Sequence, residues 1–452
     1  MEVDASLFAL PDSSRLIIIF ASRLCMTSSH ALSLLIGDAL MAVPRGRPLW
    51  IALSGGLDSS LLLTLAARAA HRAPRPLYAL HVDHALQPAA ADFERHCRAL
   101  CSRLGVPLFV ERVTVERADK GLEAAAREAR YAAFARRVAP GETLWLAQHG
   151  DDQAESVLLA ALRGSGIRGL AAMPARRDWQ GRQLVRPLLG VTRARLADEA
   201  AVLGVRWCDD PSNADTAFDR NFLRREVLPL LGRRWPAAAA SLAGVAARAS
   251  EADALLDELA GLDLARAGGV PARLALDVLR QLSAPRQRLL IRYACQRLDL
   301  PTPPTARLDT LLAQLEARDD AQVHVAWPGG EARCWRGHCY LLAPPAPLPG
   351  DWQSEWDGHT PLMTPVGRVE TRLAPAGGAA QALVLTLRRG GESLRVAGRG
   401  RRDVKRLLQE AGVPPWQRPR QLLAWHGPML VAVLGVAVAE GWEQNGCTSA
   451  SD

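Results

Sequence analysis

A chain of 452 residues is too long for one compact core, so two or three domains are expected. Its 49% hydrophobic and 23% charged residues exclude a disordered or fibrous protein. Lys and Arg outnumber Asp and Glu 55 to 47, and the net charge of +8 points to a polyanionic partner.

Only Lys120 and Lys405 are lysines. The planar fork of arginine suits phosphates and bases, although arginine-favouring codons explain the bias equally well. In chain order, the apolar run 16–21 falls far short of the roughly 20 residues a membrane span needs and lacks a clean cleavage pattern, so a cytoplasmic protein without a membrane partner is expected. Residues 1–44 read as an N-terminal extension, with Met26 and Met41 leaving part of it open as a start-site artefact. The eight cysteines are scattered with no Cys-x-x-Cys spacing, which fits a reduced cytosol, and Cys97 and Cys101 read as buried small residues.

From 45 to 232 apolar runs alternate with helical patterns. Strands are expected at 49–53, 77–82, 108–113 and 144–147, and helices at 59–70, 91–104 and 123–138. That rhythm predicts an α/β domain with a parallel sheet wrapped by helices. Residues 233–343 read as a mainly helical domain with strand signals at 323–326 and 339–342, and 344–381 as a linker region opening on a Pro- and Gly-rich stretch. A small α+β C-terminal domain is expected over 382–445, with strands at 383–387 and 429–438 around a helix at 402–411. Within 388–420, nine Arg and Lys405 stand against Glu392, Asp403 and Glu410, a local excess of seven positive charges.

Three patches carry chemistry. Ser54-Gly55-Gly56-Leu57-Asp58-Ser59 follows the first strand and opens a helix. Its glycines let the backbone approach a ligand, the helix-start amides and the Ser54 and Ser59 hydroxyls suit phosphate oxygens, and Asp58 suits Mg²⁺. The pattern is not a Walker loop; it resembles the signature of the PP-loop ATP-pyrophosphatases, which split ATP between its α and β phosphates. His81-Val82-Asp83-His84 ends the second strand, where His81 and Asp83 share a face and His84 falls opposite, so a preformed metal site is not expected. Gln148-His149-Gly150-Asp151-Asp152-Gln153-Ala154-Glu155 follows the fourth strand and puts Asp152 and Glu155 on one helix face, able to hold Mg²⁺ or a substrate ammonium, or simply to complement the helix dipole.

These patches continue, in order, into Arg127, Arg130 and Tyr131 within 123–131, Arg163-Gly164-Ser165-Gly166-Ile167-Arg168-Gly169-Leu170, Arg186-Pro187-Leu188-Leu189, Asp210-Pro211-Ser212-Asn213 and Arg220-Asn221-Phe222-Leu223-Arg224-Arg225. Together they resemble the tRNA(Ile)-lysidine synthetase family over residues 50–230, with further likeness in Arg388-Arg389-Gly390-Gly391-Glu392 and Lys405-Arg406-Leu407-Leu408. The resemblance implies that ATP adenylates the wobble cytidine of a CAU-anticodon isoleucine tRNA and that free L-lysine then displaces AMP, giving lysidine. It further implies that Ser54 to Ser59, with His81, hold ATP, that Asp58 holds Mg²⁺, that Asp152 and Glu155 line the lysine pocket, and that Arg220 steadies the phosphate or adenylate.

Lysine's ammonium, with a pKa of about 10.4, must lose a proton before attack, and His149 is the candidate base. Many relatives carry a second histidine where this chain has Gln148, so no role is given to paired imidazoles. Arg127, Arg130, Tyr131, Arg163 and Arg168 are expected to meet the anticodon region, with a base stacked on Tyr131 or a tryptophan, and Arg401, Arg402 and Lys405 a more distant part of the tRNA. A homodimer is compatible with the sequence. The rival readings are a tRNA thiolase, which needs paired cysteines, an amidotransferase-type synthetase, which needs a glutaminase, and an RNA-binding protein without activity, which leaves the ATP loop unexplained.

Overall fold

Alternation in the first strands already fixes a layered unit. Leu49, Ile51 and Leu53 point to one side, into a cluster with Leu61, Leu65 and Leu196, while Trp50 points to the other, with Leu80, Phe134, Leu144 and Leu184. Strands covered on both faces in this way belong to a sheet between helical layers. The computed structural model describes residues 30–84, 90–114, 122–209, 215–316, 323–379 and 381–445. It divides into one unit running to Asp257 and a second from Glu258.

The first unit follows the order α1 (His30–Met41), β1 (Leu49–Ala52), α2 (Leu57–Arg72), β2 (Leu77–Asp83), α3 (Ala90–Leu104), β3 (Leu108–Arg112), α4 (Leu122–Arg137), β4 (Thr143–Trp145), α5 (Gly150–Leu162), α6 (Ile167–Leu170), β5 (Arg176–Trp179), β6 (Arg182–Val185), α7 (Arg193–Val202) and α8 (Asp219–Phe222). A π-wound turn (Leu223–Val227), α9 (Leu228–Arg234) and the start of α10 (Ala238–Arg266) complete it. The sheet runs β3-β2-β1-β4-β6-β5, parallel except for the edge strand β5. Strand order reverses direction between β1 and β4, which pair with Ile51 opposite Trp145. The carboxyl ends of those two strands therefore open the crevice where such sheets bind ligands.

Among the described residues the second unit holds three two-stranded ribbons, two of which pair β12 (Leu362–Thr364) with β13 (Gly367–Val369) and β16 (Ser393–Val396) with β17 (Gly400–Asp403), and two larger sheets. One pairs β7 (Arg273–Ala275), β8 (His324–Trp327), β9 (Gly330–Trp335) and β10 (His338–Leu342) in the order β7-β10-β9-β8. It packs with helices α11 (Leu276–Gln281), α12 (Ala284–Arg297) and α13 (Thr305–Leu315) around Leu290, Ile291, Leu308 and Leu311. The other holds β11 (Gln353–Trp356), β15 (Leu383–Leu387), β18 (Leu422–His426), β19 (Met429–Val433) and β20 (Ala437–Val438). Here α14 (Val404–Glu410) buries Val404, Leu407 and Leu408 in the same core as Leu385 and Leu423.

Three expectations about domain layout differ from this structure. The expected extension 1–44 contains α1, which sends Leu32, Ile36, Ala39 and Leu40 into the first core and is an integral layer of it. The apolar positions three and four apart on α1 are what the core recruits. The expected linker 344–381 contains β11, whose Trp356 pairs with Leu383, and β14 (Arg372–Pro375), which pairs with β21 (Trp442–Asn445). Short strands closed by distant partners leave little local periodicity to read. The mainly helical 233–343 region carries a four-stranded sheet, of which β7 and β9 gave no separate signal. Among the described residues no helix is long and apolar enough to cross a membrane.

Candidate active site

The first loop is shaped by steric need. Gly55 has φ +92°, and a Cβ there would lie 3.1 Å from Phe93 Cδ1 and 3.2 Å from Cys97 Sγ, so only glycine fits. Gly56 starts α2 with no side chain capping it, which leaves the first-turn amides open to an anion. The loop is tied by Ser54 N–H donating to Ser59 Oγ at 3.1 Å, by the two hydroxyls at 3.0 Å, and by Ser59 Oγ donating to Gly56 O at 3.2 Å. His81 is buried, and its Nδ1 lies 2.8 Å from Leu53 O. This contact secures the strand end that feeds the loop, so His81 supports the ATP loop from beneath.

Across the crevice, α5 begins at β4's end with His149 as its cap. His149 N–H donates to Asp152 Oδ2 at 3.0 Å, and Asp151 N–H donates to His149 Nδ1 at 3.3 Å. That reciprocal box explains one of the two adjacent aspartates. Asp151 accepts from Arg193 N–H at 2.9 Å and so starts α7, while Asp152 completes the α5 cap through Oδ2 and keeps Oδ1 for the crevice.

With Nδ1 accepting a backbone amide, the imidazole proton belongs on Nε2, which faces Asp58 Oδ2 at 3.7 Å and Asp152 Oδ2 at 3.6 Å. His149 is 2% exposed. The ring, the candidate base, is thus held between the backbone at the start of α5 and the carboxylates of Asp58 and Asp152.

Asp58 Oδ1 is buried with no hydrogen-bond partner. Burial raises its carboxyl above the usual 3.8, opposed by His149 and Arg193 and reinforced by Asp152. An orphaned oxygen in that state suits a cation. Among the described residues no three His, Cys, Asp or Glu side chains form a metal cluster, so a Mg²⁺ at Asp58 would draw its other ligands from phosphates and water.

Asp152 and Glu155 are brought together, but a residue given no role of its own from the sequence stands between them. Arg224 Nε donates to Glu155 Oε1 at 2.6 Å, and Arg224 Nη2 donates to Glu155 Oε2 and Asp152 Oδ1 at 3.0 Å each. Glu155 is fully buried; burial raises its carboxyl, opposed by Arg224. Arg224 lies in the π-wound turn, a rare winding that alters which way successive side chains point, so helical spacing alone could not aim it. The available signal was its place four residues after Arg220. Arg220 is half-buried, and its charge acts on Glu155.

Gln148 also gains an explanation: its Oε1 accepts from Arg186 Nε at 3.0 Å, and Arg186 Nη1 donates to Pro174 O at 2.8 Å.

The expected RNA contacts divide. Arg127 lies 4.9 Å from the Tyr131 ring centroid, and Trp179 meets that half-buried ring edge-on at 5.4 Å. Arg130 Nε donates to His84 Nε2 at 3.4 Å; burial lowers His84's pKa, with Arg130 adding to the effect. Arg163 is exposed and loosely paired with Asp219 at 3.5 Å. Arg168 is held by Asp253 at 3.0 Å and by Asp257 on α10, which makes it a loop anchor. In the second unit Arg401 donates to Ser393 Oγ at 2.6 Å, Arg402 is half-buried, and Lys405 is exposed behind the Asp403 cap. The Asp210-Pro211-Ser212-Asn213 motif lies outside the described residues.

The PP-loop domain family matches residues 32–231, the TilS substrate binding domain 274–340 and the TilS substrate C-terminal domain 383–451. The tRNA(Ile)-lysidine synthase of Alkalilimnicola ehrlichii is 44% identical over 86% of this chain and 90% of its own length. The chain belongs to the tRNA(Ile)-lysidine synthase family. The synthase of Pseudomonas aeruginosa is 45% identical over 85% of this chain and 89% of its own, and that of Xanthomonas axonopodis pv. citri 42% over 87% and 90%. Membership makes the chain a ligase-type enzyme that uses ATP through its PP-loop domain. The PP-loop domain match begins inside α1, in keeping with the packing of that helix.

Proposed function

We propose that this protein joins free L-lysine to C2 of the wobble cytidine in a CAU-anticodon tRNA(Ile), acting in the cytoplasm as a monomer or a homodimer. The cytidine O2 attacks the α-phosphorus of ATP, and the bond to pyrophosphate breaks. The lysine ammonium gives up a proton to solvent, the freed ε-amine attacks C2 and passes a second proton to solvent, and the C2–O bond breaks to release AMP. The modified anticodon reads AUA in place of AUG and is charged with isoleucine in place of methionine.

The observation that carries this reading is the meeting at one crevice of the Ser54–Ser59 loop, Asp58 with its unpartnered oxygen, and the Asp152–Arg224–Glu155 cluster. In it the open amides of α2 and the Ser54 and Ser59 hydroxyls hold the phosphates. Asp58 would hold Mg²⁺, which would supply charge neutralisation to the pyrophosphate. Arg220 and Arg224 supply positive charge to the reacting phosphate. Glu155 is sealed behind Arg224, so lysine's ammonium is read by Asp152, the acid whose side chain keeps 13% exposure, with Glu155 holding Arg224 in place. Arg163 and the exposed face of 388–420 meet tRNA phosphates.

Incubation with ATP, labelled lysine and bulk bacterial tRNA, followed by digestion, should place label on cytidine. ATP turnover without lysine transfer would return the thiolase and amidotransferase readings.

A further inference from the structure

The loop between α5 and β5 leaves the helix at Leu162, carries Arg163, and returns at Met173 and Pro174. Its return is fastened to the start of the same helix. Gln153 Nε2 donates to Met173 O at 2.9 Å, and Met173 N–H donates to Gln153 Oε1 at 2.9 Å, a two-bond clasp that only a primary amide can make. Arg186 adds a second fastening, joining Pro174 O at 2.8 Å to Gln148 Oε1 at 3.0 Å, one residue before the His149 cap. Gln153 and Arg186 are 6% and 3% exposed, so these bonds form where water does not replace them. Gln153 lies one residue after Asp152 and two before Glu155. None of the four bonds is needed to close α5 itself, whose cap His149 and Asp152 already complete.

We infer that Gln153 and Arg186 are positioning residues that latch the 163–174 loop to the catalytic corner, so that tRNA docked on the loop sets the placement of His149 and Asp152. Arg163 senses the RNA phosphate, the Met173–Pro174 end of the loop takes up the displacement, and the latch passes it to the helix start. This rests on the reading that the loop meets tRNA. Errors of about 1 Å in such a placement cost on the order of a hundredfold in rate, whereas RNA affinity depends on the loop's own charges.

The test uses the full chain with Gln153→Met, which keeps the volume but removes both bonds, alongside Arg163→Ala and the double variant. Tenfold or greater loss of kcat for tRNA-dependent AMP release is expected in Gln153→Met, with KM for tRNA within about threefold and ATP affinity unchanged. Arg163→Ala should raise KM for tRNA and lower kcat, and its kcat effect should shrink in the Gln153→Met background. Amide exchange at Met173 should speed up in Gln153→Met, showing that the latch has opened in a folded protein. A wild-type kcat with fast exchange at Met173, or strictly additive kcat effects, overturns the latch. An unchanged KM for tRNA in Arg163→Ala overturns the loop's contact with RNA instead, so the two failures are told apart.

Discussion

The corner at the start of α5 and the basic stretch 388–420 both set arginines against acids, in opposite surroundings. At the corner, Arg224 clasps Glu155, which is 0% exposed, and reaches Asp152 from the same guanidinium. In the C-terminal stretch, Arg399 and Arg406 share Glu410 on an open surface, with side-chain exposures of 47%, 66% and 38%. Removing one partner from a buried pair strands a charge that water cannot reach, while exposed pairs are screened and contribute little. The corner therefore behaves as a coupled unit, whereas Arg399, Arg406 and Glu410 are solvent-screened charges, unlike the Arg388–Glu392 pair of the same stretch, whose side chains are 15% and 9% exposed.

The sharpest way to break this contrast is Arg224→Met, expected to cost about 3–5 kcal/mol of stability by leaving Glu155 unpaired, and to remove AMP formation. Urea unfolding checks it, with Arg406→Ala as the surface counterpart that should leave the midpoint in place. A midpoint for Arg224→Met equal to that of Arg406→Ala would erase the distinction.

Asp58 gives the next effect. Its folded pKa lies above the usual 3.8, so the folded state holds that proton more tightly, and stability is lost as pH rises from about the unfolded value through the raised one. Asp58→Ala should abolish AMP release. Asp58→Asn should be equally inactive yet melt higher than wild type near pH 7 without nucleotide, with a smaller decline in melting temperature as pH rises. Equal melting curves across pH would mean that burial of Asp58 carries no penalty.

The smallest effect belongs to the surface. Replacing Arg401 and Arg402 together with Ala should weaken tRNA binding modestly and reduce the salt slope by about one for each phosphate contact removed. Filter binding across a salt series measures it. An unchanged slope would show that this stretch does not touch RNA.

The reading of the sequence succeeded where local spacing carries the information. Runs at 77–82 and 108–113 match β2 and β3 closely, and Ser54 to Ser59 sits where a strand gives way to a helix. Tyr131 illustrates the opposite case: the family resemblance placed it with Arg127 and Arg130 near RNA, and only the fold shows that its ring also packs against Arg127 and Trp179. Arg168 likewise sits in a Gly-rich loop whose local sequence does not reveal its ion pairs with Asp253 and Asp257, far along the chain. No periodicity reports partners separated by so many residues.

The sequence by itself determined the parallel α/β architecture, the ATP loop and the family, because strand alternation, glycine at a positive φ and ordered motifs are local properties that survive in one dimension. Only the tertiary structure decided that β1 and β4 are neighbours, that α1 belongs to the core, that His149 caps a helix, and that Arg224 closes over Asp152 and Glu155. Those outcomes depend on which charges are buried together and which groups satisfy one another. Desolvation makes that choice, and it acts on neighbours in space rather than in sequence.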